Sequence, residues 1–327
     1  MISLDKNILD KNSVVAKRMI EYGKKDNLFI LIPDNEGQFI ELSPNVKAYS
    51  TGGNKLSQFC RLKKMGRKIL KENKINLITA QDPFFTGLAG VCLKKKFKTK
   101  LEVQLHGDFF SSDYYKKSGG KNWLQYYIAK LWIIKKADKI RVVGDRIKKS
   151  LLDLGIAENI IEARPIAVSV DSLKNYQPKI NLRAKYPNYE KIFLNIGRLE
   201  PVKNIGWLLE VFAQTVKAKS NYLLLIVGDG SEKEKLQNQV KSLGLEYNIQ
   251  FESWVDDPVD YIKTADCILF PSLSEGYGLV AMEAAVAGMP LIMNDVGVAN
   301  FELKPSEKVK ILAVNDKAAW LNALLNI

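Results

Sequence analysis

The sequence is short of cysteine and of long apolar runs, and each shortage argues against a class of protein. Its three cysteines, Cys60, Cys92 and Cys267, lie far apart with no C-x-x-C pair, which disfavours a disulfide framework or a zinc site and fits a reducing compartment. No apolar run approaches the roughly 18 residues that span a bilayer, and the first residues lack the pattern of a signal peptide. A cytoplasmic protein is therefore predicted.

Acidic residues are outnumbered by basic ones in the first half. Residues 1–180 carry 34 Lys and Arg against 18 Asp and Glu, a net +16, whereas residues 181–327 carry 15 against 18, a net −3. A basic half joined to a near-neutral half indicates that the first half contacts something anionic: a membrane surface, a phosphorylated acceptor or nucleic acid. The length of 327 residues suits two domains better than one core.

Short apolar segments alternate with helical patterns in both halves, which is typical of parallel sheets covered by helices on both faces. The strands predicted in the first half are Leu28–Pro33, Leu77–Ala80, Leu101–Leu105 and Lys139–Val143. Those predicted in the second half are Ile192–Ile196, Tyr222–Val227, Ile249–Phe251, Cys267–Phe270 and Pro290–Met293, with helices such as Ile205–Lys217 and Ser231–Leu243 between them. The predicted fold class is α/β, with two Rossmann-like doubly wound parallel-sheet domains at residues 1–180 and 181–327 and a polar linker at Tyr176–Lys191.

Three loops of the second half follow predicted strands, and ligands of such sheets bind at the carboxyl ends of the strands. The first loop covers residues 197–204, the second is Gly228-Asp229-Gly230, and the third begins at Glu275 in the segment EGYGLVAMEA. We expect all three to open on one crevice.

Glu275 and Glu283 bracket a glycine-bearing turn and the start of a predicted helix. Such a turn forms an anion site because unpaired backbone amides and the positive end of the helix dipole meet there. The two carboxylates lie roughly 80° apart around a helix and two turns along it, so they can meet different hydroxyls of one extended ligand. Backbone amides bind phosphate and carboxylates bind hydroxyls, and a sugar nucleotide carries both groups. The alternative is that Glu275 and Glu283 are two ordinary glutamates of a helix.

His106 is the only histidine, and it lies in the segment HGD at the end of a predicted strand. A lone histidine after a strand is usually structural. The polar residues that follow favour a functional role instead, since histidine can both donate and accept hydrogen bonds at neutral pH.

The second half resembles the retaining glycosyltransferases of family 4, whose GT-B architecture has two Rossmann-like domains facing across a cleft. The matching segments, NIGRLEPVKNIGWLLEVF, LLIVGDGSEKEKL and ADCILFPSLSEGYGLVAMEAAVAGMPLI, cover roughly residues 190–300. The first half matches more loosely, through VQLHGD at 103–108 and KKADKIRVVGDRIKKSLLDLGI at 135–156.

The resemblance implies a role for individual residues. Arg198 and Lys203 would contact the donor diphosphate, and His106, from the first domain, would cap the reacting sugar. Glu275 would hold hydroxyls of the donor sugar, which completes the implied catalytic set, and Glu283 would accept hydrogen bonds from the ribose. The other donor-binding residues implied are Gly197, Gly228, Asp229, Gly230, Trp254, Val255, Ser274, Gly276, Tyr277, Gly278 and Leu279.

The function implied is transfer of a hexose from a UDP- or GDP-linked donor to a glycan or lipid-linked acceptor, with retention, in cell-surface polysaccharide or glycolipid synthesis. Two fixed cations would stabilise the leaving diphosphate, so neither a metal nor a cofactor is expected. Solvated surface cations are the alternative for Arg198 and Lys203. The competing functions are an inactive glycosyltransferase-like subunit, a GT-B sugar-nucleotide epimerase and a nucleic-acid-binding protein. No nucleic-acid motif is present, so nucleic acid is not expected as a partner.

The chain departs from the family pattern at both ends. It opens at Met1-Ile2-Ser3-Leu4 and continues DKNILDKNS, where relatives have a full strand and a glycine-rich loop. A short first strand is expected, and the roles of that glycine loop are not transferred. The chain stops at Ile327, where relatives usually continue with helices that cross back to the first domain.

Three basic segments of the first half are candidates for peripheral contact with an anionic membrane at its inner face. Lys55–Lys74 predicts an amphipathic helix whose apolar side is Leu56, Phe59, Leu62, Met65 and Ile69. A second cluster is Lys94-Lys95-Lys96 with Lys98 and Lys100, and a third segment combines Tyr126, Tyr127, Trp132, Ile133 and Ile134 with Lys135-Lys136. The alternative is that the apolar residues pack on the sheet while the lysines are solvated.

Overall fold

The computed structural model describes residues 1–111, 114, 119–166, 168, 173, 175–255 and 257–327. These form two compact α/β units, the first consisting of Met1–Val143 and Ile147–Arg164 and the second of Gly144–Arg146 and Pro165–Ile327. The predicted α/β class with two domains is confirmed. Residues 165–180, which the sequence assigns to the first domain, are grouped with the second unit, and the boundary at residues 180 and 181 stays a prediction.

The first unit has a mixed sheet. Its described strands are β1 (Leu28–Ile32), β2 (Phe39–Ser43), β3 (Val46–Ser50), β4 (Leu77–Ala80), β5 (Lys100–Leu105), β6 (Lys139–Val142) and β7 (Ile161–Ala163). Its described α-helices are α1 (Val14–Gly23), α2 (Lys55–Glu72), α3 (Phe85–Phe97), α4 (Gly120–Ile128) and α5 (Asp145–Asp153), the first residues of α5 being grouped with the second unit. A π-helical turn at Ala129–Ile133 and a 3₁₀ turn at Ile134–Lys136 extend α4.

A single residue joins the two parts of this sheet. The strands run β1-β3-β2 in one part and β4-β5-β6-β7 in the other, and only β2 is antiparallel to its neighbour. Ile2 lies between the parts, in parallel pairing with both Leu31 and Ala80. Its amide donates to Thr79 O at 2.8 Å, and the amino group of Met1 donates to Phe29 O at 2.7 Å. The short first strand expected from the sequence is therefore this bridging residue.

The second unit has a six-stranded parallel sheet in the order β10-β9-β8-β11-β12-β13. The strands are β8 (Lys191–Ile196), β9 (Tyr222–Val227), β10 (Ile249–Glu252), β11 (Cys267–Phe270), β12 (Leu291–Asn294) and β13 (Val309–Leu312). The described helices are α6 (Leu182–Lys185), α7 (Ile205–Ala218), α8 (Lys233–Leu243), α9 (Val259–Thr264), α10 (Leu279–Val286) and α11 (Lys317–Leu325). The order reverses between β8 and β11, and this switch point is where a doubly wound sheet forms its ligand crevice.

The core of the second unit follows directly from the sequence pattern. Every residue of β9, β11 and β12 is buried, because parallel strands covered on both faces need apolar side chains throughout. Helix α7 buries Ile205, Leu208, Leu209 and Phe212, the spacing of one helical face. Each such fully buried side chain stabilises the fold by about 1.5–3 kcal/mol.

The predicted linker Tyr176–Lys191 is packed on the second unit rather than extended from it. It contains α6, whose Leu182 is fully buried. Arg183 in the same helix pairs with the carboxylate of Asp266 at 2.6 and 2.8 Å. In the described part of the chain, no helix is both long enough and apolar enough to cross a bilayer.

Candidate functional site

The loops after β8 and β9 are held together by their backbones. Gly197 N donates to Val227 O at 3.0 Å, and Leu199 N donates to Asp229 O at 2.8 Å. A Cβ at Gly228 would lie 1.9 Å from Gly197 O, and one at Gly230 would lie 2.4 Å from Leu199 O. Both glycines also have positive φ, so a side chain is excluded at either position by strain and by contact.

Some side chains of these two loops are held by burial or by hydrogen bonds within the loops, and others are exposed to solvent. Leu199 is fully buried, and its neighbour Arg198 is exposed. The carboxylate of Asp229 accepts from Gly230 N at 2.8 Å and from Lys233 Nζ at 2.9 Å. The bond from Lys233 lowers the pKa of Asp229, so this carboxylate is ionised and committed to its own loop.

Glu200 links the same two loops through its side chain. Its carboxylate accepts from Ser231 Oγ at 2.8 Å and from Ser231 N at 3.3 Å, and these bonds lower its pKa. The sequence analysis did not single out Glu200. The sequence does contain a sign of this pair. Glu200 lies within the first loop and Ser231 directly follows the second, so the two can be paired once the loops are known to touch.

The loop after β11 is fixed by a buried amide. Asn294, at the end of β12, donates to Pro271 O at 2.6 Å and to Ser272 O at 3.1 Å, and it accepts from Trp320 Nε1 at 2.9 Å. Asn294 and Trp320 are both fully buried. Leu273 N donates to Val202 O at 2.8 Å, so the third loop is also tied to the first. Sequence reasoning missed Asn294, because its partners come from distant parts of the chain.

The structure brings two predicted site residues into direct contact. Lys203 Nζ lies 2.5 Å from Glu275 Oε1, and the side chains are only 20% and 14% exposed. The ammonium also lies 5.5 Å from the centre of the Phe270 ring. Partly desolvated charges are costly unless paired, so this contact stabilises both side chains at the switch point.

The turn that follows Glu275 presents free backbone amides. Helix α10 begins at Leu279, and Gly278, with φ of 97°, precedes it without a side-chain cap. The first amides of a helix have no intrahelical acceptor, so Gly278 and Leu279 start a helix end that attracts negative charge. Tyr277 is 7% exposed, and its carbonyl accepts from Val298 N at 2.8 Å, which holds the turn.

Gly297 is a further glycine of the site that the sequence analysis missed. A Cβ there would lie 2.3 Å from Tyr277 O and 3.0 Å from Glu275 Cβ, and its φ is 58°. It follows β12, the neighbour of β11, so the strand-end rule that found the other loops would also have found this one. Ser274 is 7% exposed, and Gly276 lies in the same turn.

Glu283 is the fifth residue of α10, about one turn from its start, and is half-buried. Burial, and after it the negative charge of Asp257, raises the pKa of Glu283. A carboxyl group of this kind accepts hydrogen bonds from hydroxyls without an ion pair competing for it.

Two predicted residues lie farther from the switch point. Trp254 and Val255 follow β10, the edge strand, which β9 separates from β8. The Trp254 side chain is 55% exposed, and Val255 is half-buried. Their role at the base stays a prediction.

His106 belongs to the first unit and follows β5 directly. Its Nε2 lies 3.2 Å from the Oε1 atoms of both Gln81 and Gln104, which fixes the ring. Desolvation by the protein packed around the ring lowers the pKa of His106, and the positive charge of Arg141 lowers it further. The ring is therefore neutral at pH 7. Its predicted contact with the donor sugar stays a prediction.

Two family models divide the chain between them. Residues 178–326 match the family described as "Glycosyl transferases group 1", and residues 30–171 match "Glycosyltransferase Family 4". The chain belongs to these glycosyltransferases. The family resemblance found in the second half and, more loosely, in the first is confirmed.

Two curated relatives act on lipids by name. The alpha-monoglucosyldiacylglycerol synthase of Streptococcus pneumoniae is 24% identical over 69% of this chain and 53% of its own length. The phosphatidyl-myo-inositol mannosyltransferase of Mycobacterium leprae is 33% identical over 49% of this chain and 42% of its own length. The chain thus matches about half the length of these relatives.

A solved structure shares the fold over nearly the whole chain. HepE of Anabaena, in complex with UDP and glucose, superposes with a TM-score of 0.74 at 15% identity, covering 99% of this chain and 88% of that chain. At this identity the likeness shows the fold alone, which is GT-B.

Proposed function

We propose that this protein transfers a hexose from a nucleotide-sugar donor to a glycan or lipid-linked acceptor, with retention of anomeric configuration, in cell-surface polysaccharide or glycolipid synthesis. The observation that carries the proposal is the Lys203–Glu275 pair, 2.5 Å apart at the switch point and followed by the uncapped start of α10. It combines a cation for phosphate, a carboxylate for sugar hydroxyls and free amides within one loop cluster.

The donor diphosphate would bind Lys203 and the exposed Arg198. Cleavage of the glycosyl–phosphate bond builds negative charge on the leaving diphosphate, and preorganised cations stabilise that charge strongly. A diphosphate beside Lys203 competes with Glu275 for the ammonium. Glu275 then has acceptor capacity for the hydroxyls of the transferred sugar.

The nucleoside would extend from this point towards Glu283. Its half-buried carboxyl group, which forms no salt bridge with the described residues, suits the ribose hydroxyls. The complex of HepE with UDP and glucose supports a UDP-linked donor, with a GDP-linked donor as the other choice. The lipid products and substrates in the names of the two curated relatives support a lipid-linked acceptor.

Retention without a protein base follows from the same charges. As the bond from C1 to the diphosphate breaks, the acceptor hydroxyl would attack C1 on the same face and pass its proton to an oxygen of the leaving diphosphate. His106 would contact the sugar as a neutral hydrogen-bonding group. Because Arg198 and Lys203 neutralise the diphosphate, we propose that neither a metal ion nor a cofactor takes part. Chelation with EDTA should leave turnover unchanged. Loss of turnover that Mg²⁺ or Mn²⁺ restores would overturn metal independence and leave transfer intact.

Donor binding tests the proposal most directly. Thermal unfolding with UDP-, GDP- and ADP-sugars should reveal one donor that raises the melting temperature of the wild type. The variant Lys203→Gln loses a charge-assisted contact of about 1.5–3 kcal/mol, so its donor affinity should fall roughly tenfold to hundredfold. Lys235→Gln is the matched control, since Lys235 forms an exposed pair with Glu232 at 2.7 Å in the same unit.

The outcomes separate the competing functions. No shift with any donor in the wild type would favour an inactive glycosyltransferase-like subunit. A donor that binds and is converted to its epimer without acceptor would favour an epimerase. Equal donor affinity in the wild type and Lys203→Gln would remove the pair from the site.

A lipid-linked acceptor also implies a location. We propose a cytoplasmic protein that contacts an anionic membrane through its basic first half, whose net charge over residues 1–180 is +16.

A further inference from the structure

A row of large apolar side chains lies exposed along α4 and the turn that extends it. The members of this apolar row are Trp123, Leu124, Ile128, Leu131 and Trp132, with exposed fractions of 48%, 54%, 38%, 59% and 43%. Leu124 and Ile128 are four residues apart and share one face of α4, and Leu131 and Trp132 follow in the π-helical turn. Contiguous apolar surface of this kind is a mark of an interaction site rather than of scattered exposed residues.

The opposite face of the same segment is firmly packed. Tyr126, Ala129, Ile133 and Ile134 are 5%, 0%, 1% and 0% exposed. The backbone carbonyl of Lys136 also accepts from Lys94 Nζ at 2.7 Å, which ties the end of the segment to α3. The segment is therefore apolar on both faces, and only one face is used by the core of the first unit.

The charge around the apolar row has one sign. Residues 123–137 contain three lysines and no acidic residue, and Asp138, which follows them, pairs with Lys94 at 2.7 Å. Lys135 and Lys136 follow the apolar row directly and are exposed, and Lys130 lies within it with its ammonium 5.6 Å from the centre of the Tyr126 ring. A positive border complements an anionic surface.

Helix α2, the other amphipathic candidate, lacks this property. Leu62 is fully buried, and Phe59 packs edge-on against Phe85 with ring centres 5.4 Å apart. Leu56 is 90% exposed but has no large apolar neighbour exposed on α2. The apolar side of α2 thus serves the core, and its lysines are solvated.

We propose that α4 and the turns through Lys136 lie in the interface of an anionic bilayer. Tryptophan and leucine side chains enter the boundary between headgroups and acyl chains, and lysines beside them contact the anionic headgroups. A bilayer fits better than a protein partner because the row pairs tryptophan with lysine and has no acid. The inference rests on the proposed function for its purpose, which is access to a lipid-linked acceptor, and it names the surface that gives this access.

Flotation of the whole protein with lipid vesicles tests the surface. Vesicles of phosphatidylcholine with a minority of phosphatidylglycerol should carry the wild type at low salt, and phosphatidylcholine alone should carry much less. The double variant Leu131→Ser/Trp132→Ser should lower partitioning by roughly tenfold or more. Leu56→Ser, which removes a more exposed leucine of the same unit, should partition like the wild type.

Charge reversal gives a second, independent comparison. Lys135→Glu/Lys136→Glu should release the protein from anionic vesicles, while Lys64→Glu/Lys68→Glu on the exposed side of α2 should have a smaller effect at equal net charge. Equal losses in the two double variants would show that net charge alone drives binding and would overturn the assignment to α4.

The remaining outcomes are decisive as well. Wild-type partitioning of Leu131→Ser/Trp132→Ser would overturn the proposal. So would a wild-type dimer that this variant converts to a monomer, because the apolar row would then bind a second copy. Donor-induced thermal shifts of the same variants distinguish the membrane surface from the proposed function. Donor binding without flotation of the wild type would overturn the membrane surface alone. Flotation without donor binding would overturn the proposed function alone.

Discussion

The two units of this protein carry their functional features in different ways. In the second unit the features are loops at strand ends, fixed by backbone contacts such as those of Gly228 and Gly230 with the neighbouring loop. In the first unit the distinctive feature is a surface, the apolar row with its border of lysines. Loops at strand ends leave short motifs in a sequence, whereas a surface depends on which face of a helix the core covers. The two units therefore differ in how much a sequence can reveal.

The largest expected effect lies within the second unit and separates its two glutamates. Glu275→Ala should lower kcat by roughly 10²–10³-fold with little change in donor affinity, because a contact that orients the reacting sugar is lost at the charged centre. Glu283→Ala should mainly raise the donor Kd, because its partner is the ribose. Steady-state kinetics together with donor titration would measure both, with exposed Glu234→Ala on α8 as control. Indistinguishable defects in the two variants would contradict the division of tasks.

The next prediction tests whether the hydrogen bonds of Asn294 hold the loop after β11 in place. Asn294→Ala leaves Pro271 O, Ser272 O and the Trp320 indole without their partner, at a cost of about 3 kcal/mol of unfolding free energy. Chemical denaturation should show this loss, and donor KM should rise as the Glu275 loop loosens.

A matched variant separates stability from positioning. Asn248 is also buried and donates to Ser220 O at 2.7 Å and to Tyr222 O at 2.8 Å, at the opposite end of the sheet. Asn248→Ala should destabilise the protein similarly and leave donor KM unchanged. A rise in KM in both variants would mean that general loosening, and not the clamp on the third loop, is responsible.

A smaller effect asks whether the first unit shares in catalysis. His106→Ala should lower turnover roughly tenfold to hundredfold with modest change in nucleotide affinity, since a hydrogen bond to the sugar is lost. His106→Asn, which keeps a donor and an acceptor, should recover part of the turnover. Wild-type turnover in His106→Ala would confine the chemistry to the second unit.

The smallest effect is the pH dependence that Glu283 gives to stability. Burial and Asp257 raise its folded pKa above the ordinary value of 4.5, so the folded state favours the protonated carboxyl group. Its contribution to stability is fully present below pH 4.5 and is lost as pH rises through the raised pKa. Glu283→Gln should therefore gain melting temperature relative to the wild type as pH rises through that window. A difference in melting temperature that stays flat with pH would contradict the raised pKa.

The central strands of the second unit, β8, β9, β11 and β12, were predictable because nearly all of their residues are buried. Tyr222–Val227 and Cys267–Phe270 are observed with the predicted bounds. Ile192–Ile196 and Ile249–Phe251 differ by one residue at one end, and Pro290–Met293 is shifted by one residue to Leu291–Asn294. Continuous apolar runs leave little doubt about strand type or position in a parallel sheet. The loops that follow them were found by the same rule.

Three of the four described strands that sequence reasoning missed, β2, β7 and β13, have little buried surface. The fourth, β3, was missed although it buries Val46, Ala48 and Ser50. No residue of β2 (Phe39–Ser43) is fully buried, and β7 and β13 bury only their first residue. Their pairing depends on neighbours supplied by the rest of the sheet, so the local pattern is weak. Asn294 was not predicted for a related reason, since its three hydrogen bonds form only when β11, β12 and α11 are packed together.

The aromatic segment at residues 126–136 was recognised as a candidate from its composition, but not which of its residues face outward. Ile133 and Ile134 turn out to be core, while Leu131 and Trp132 are exposed. No α-helical pattern assigns these neighbours, because Ala129–Ile133 form a π-helical turn and Ile134–Lys136 a 3₁₀ turn.

That π turn makes the segment sensitive to chain length. A π turn accommodates one residue more than an α turn, so deleting one residue within Ala129–Ile133 would restore regular α-helical bonding. Everything beyond the deletion would then rotate by roughly 100° around the helix axis. Ile133 and Ile134 would leave the core, or the stretch before them would have to turn instead, and in either case tryptophans and lysines would no longer share one side. The number of residues in this turn therefore determines which way the apolar row faces. Inserting or deleting one residue would change that orientation.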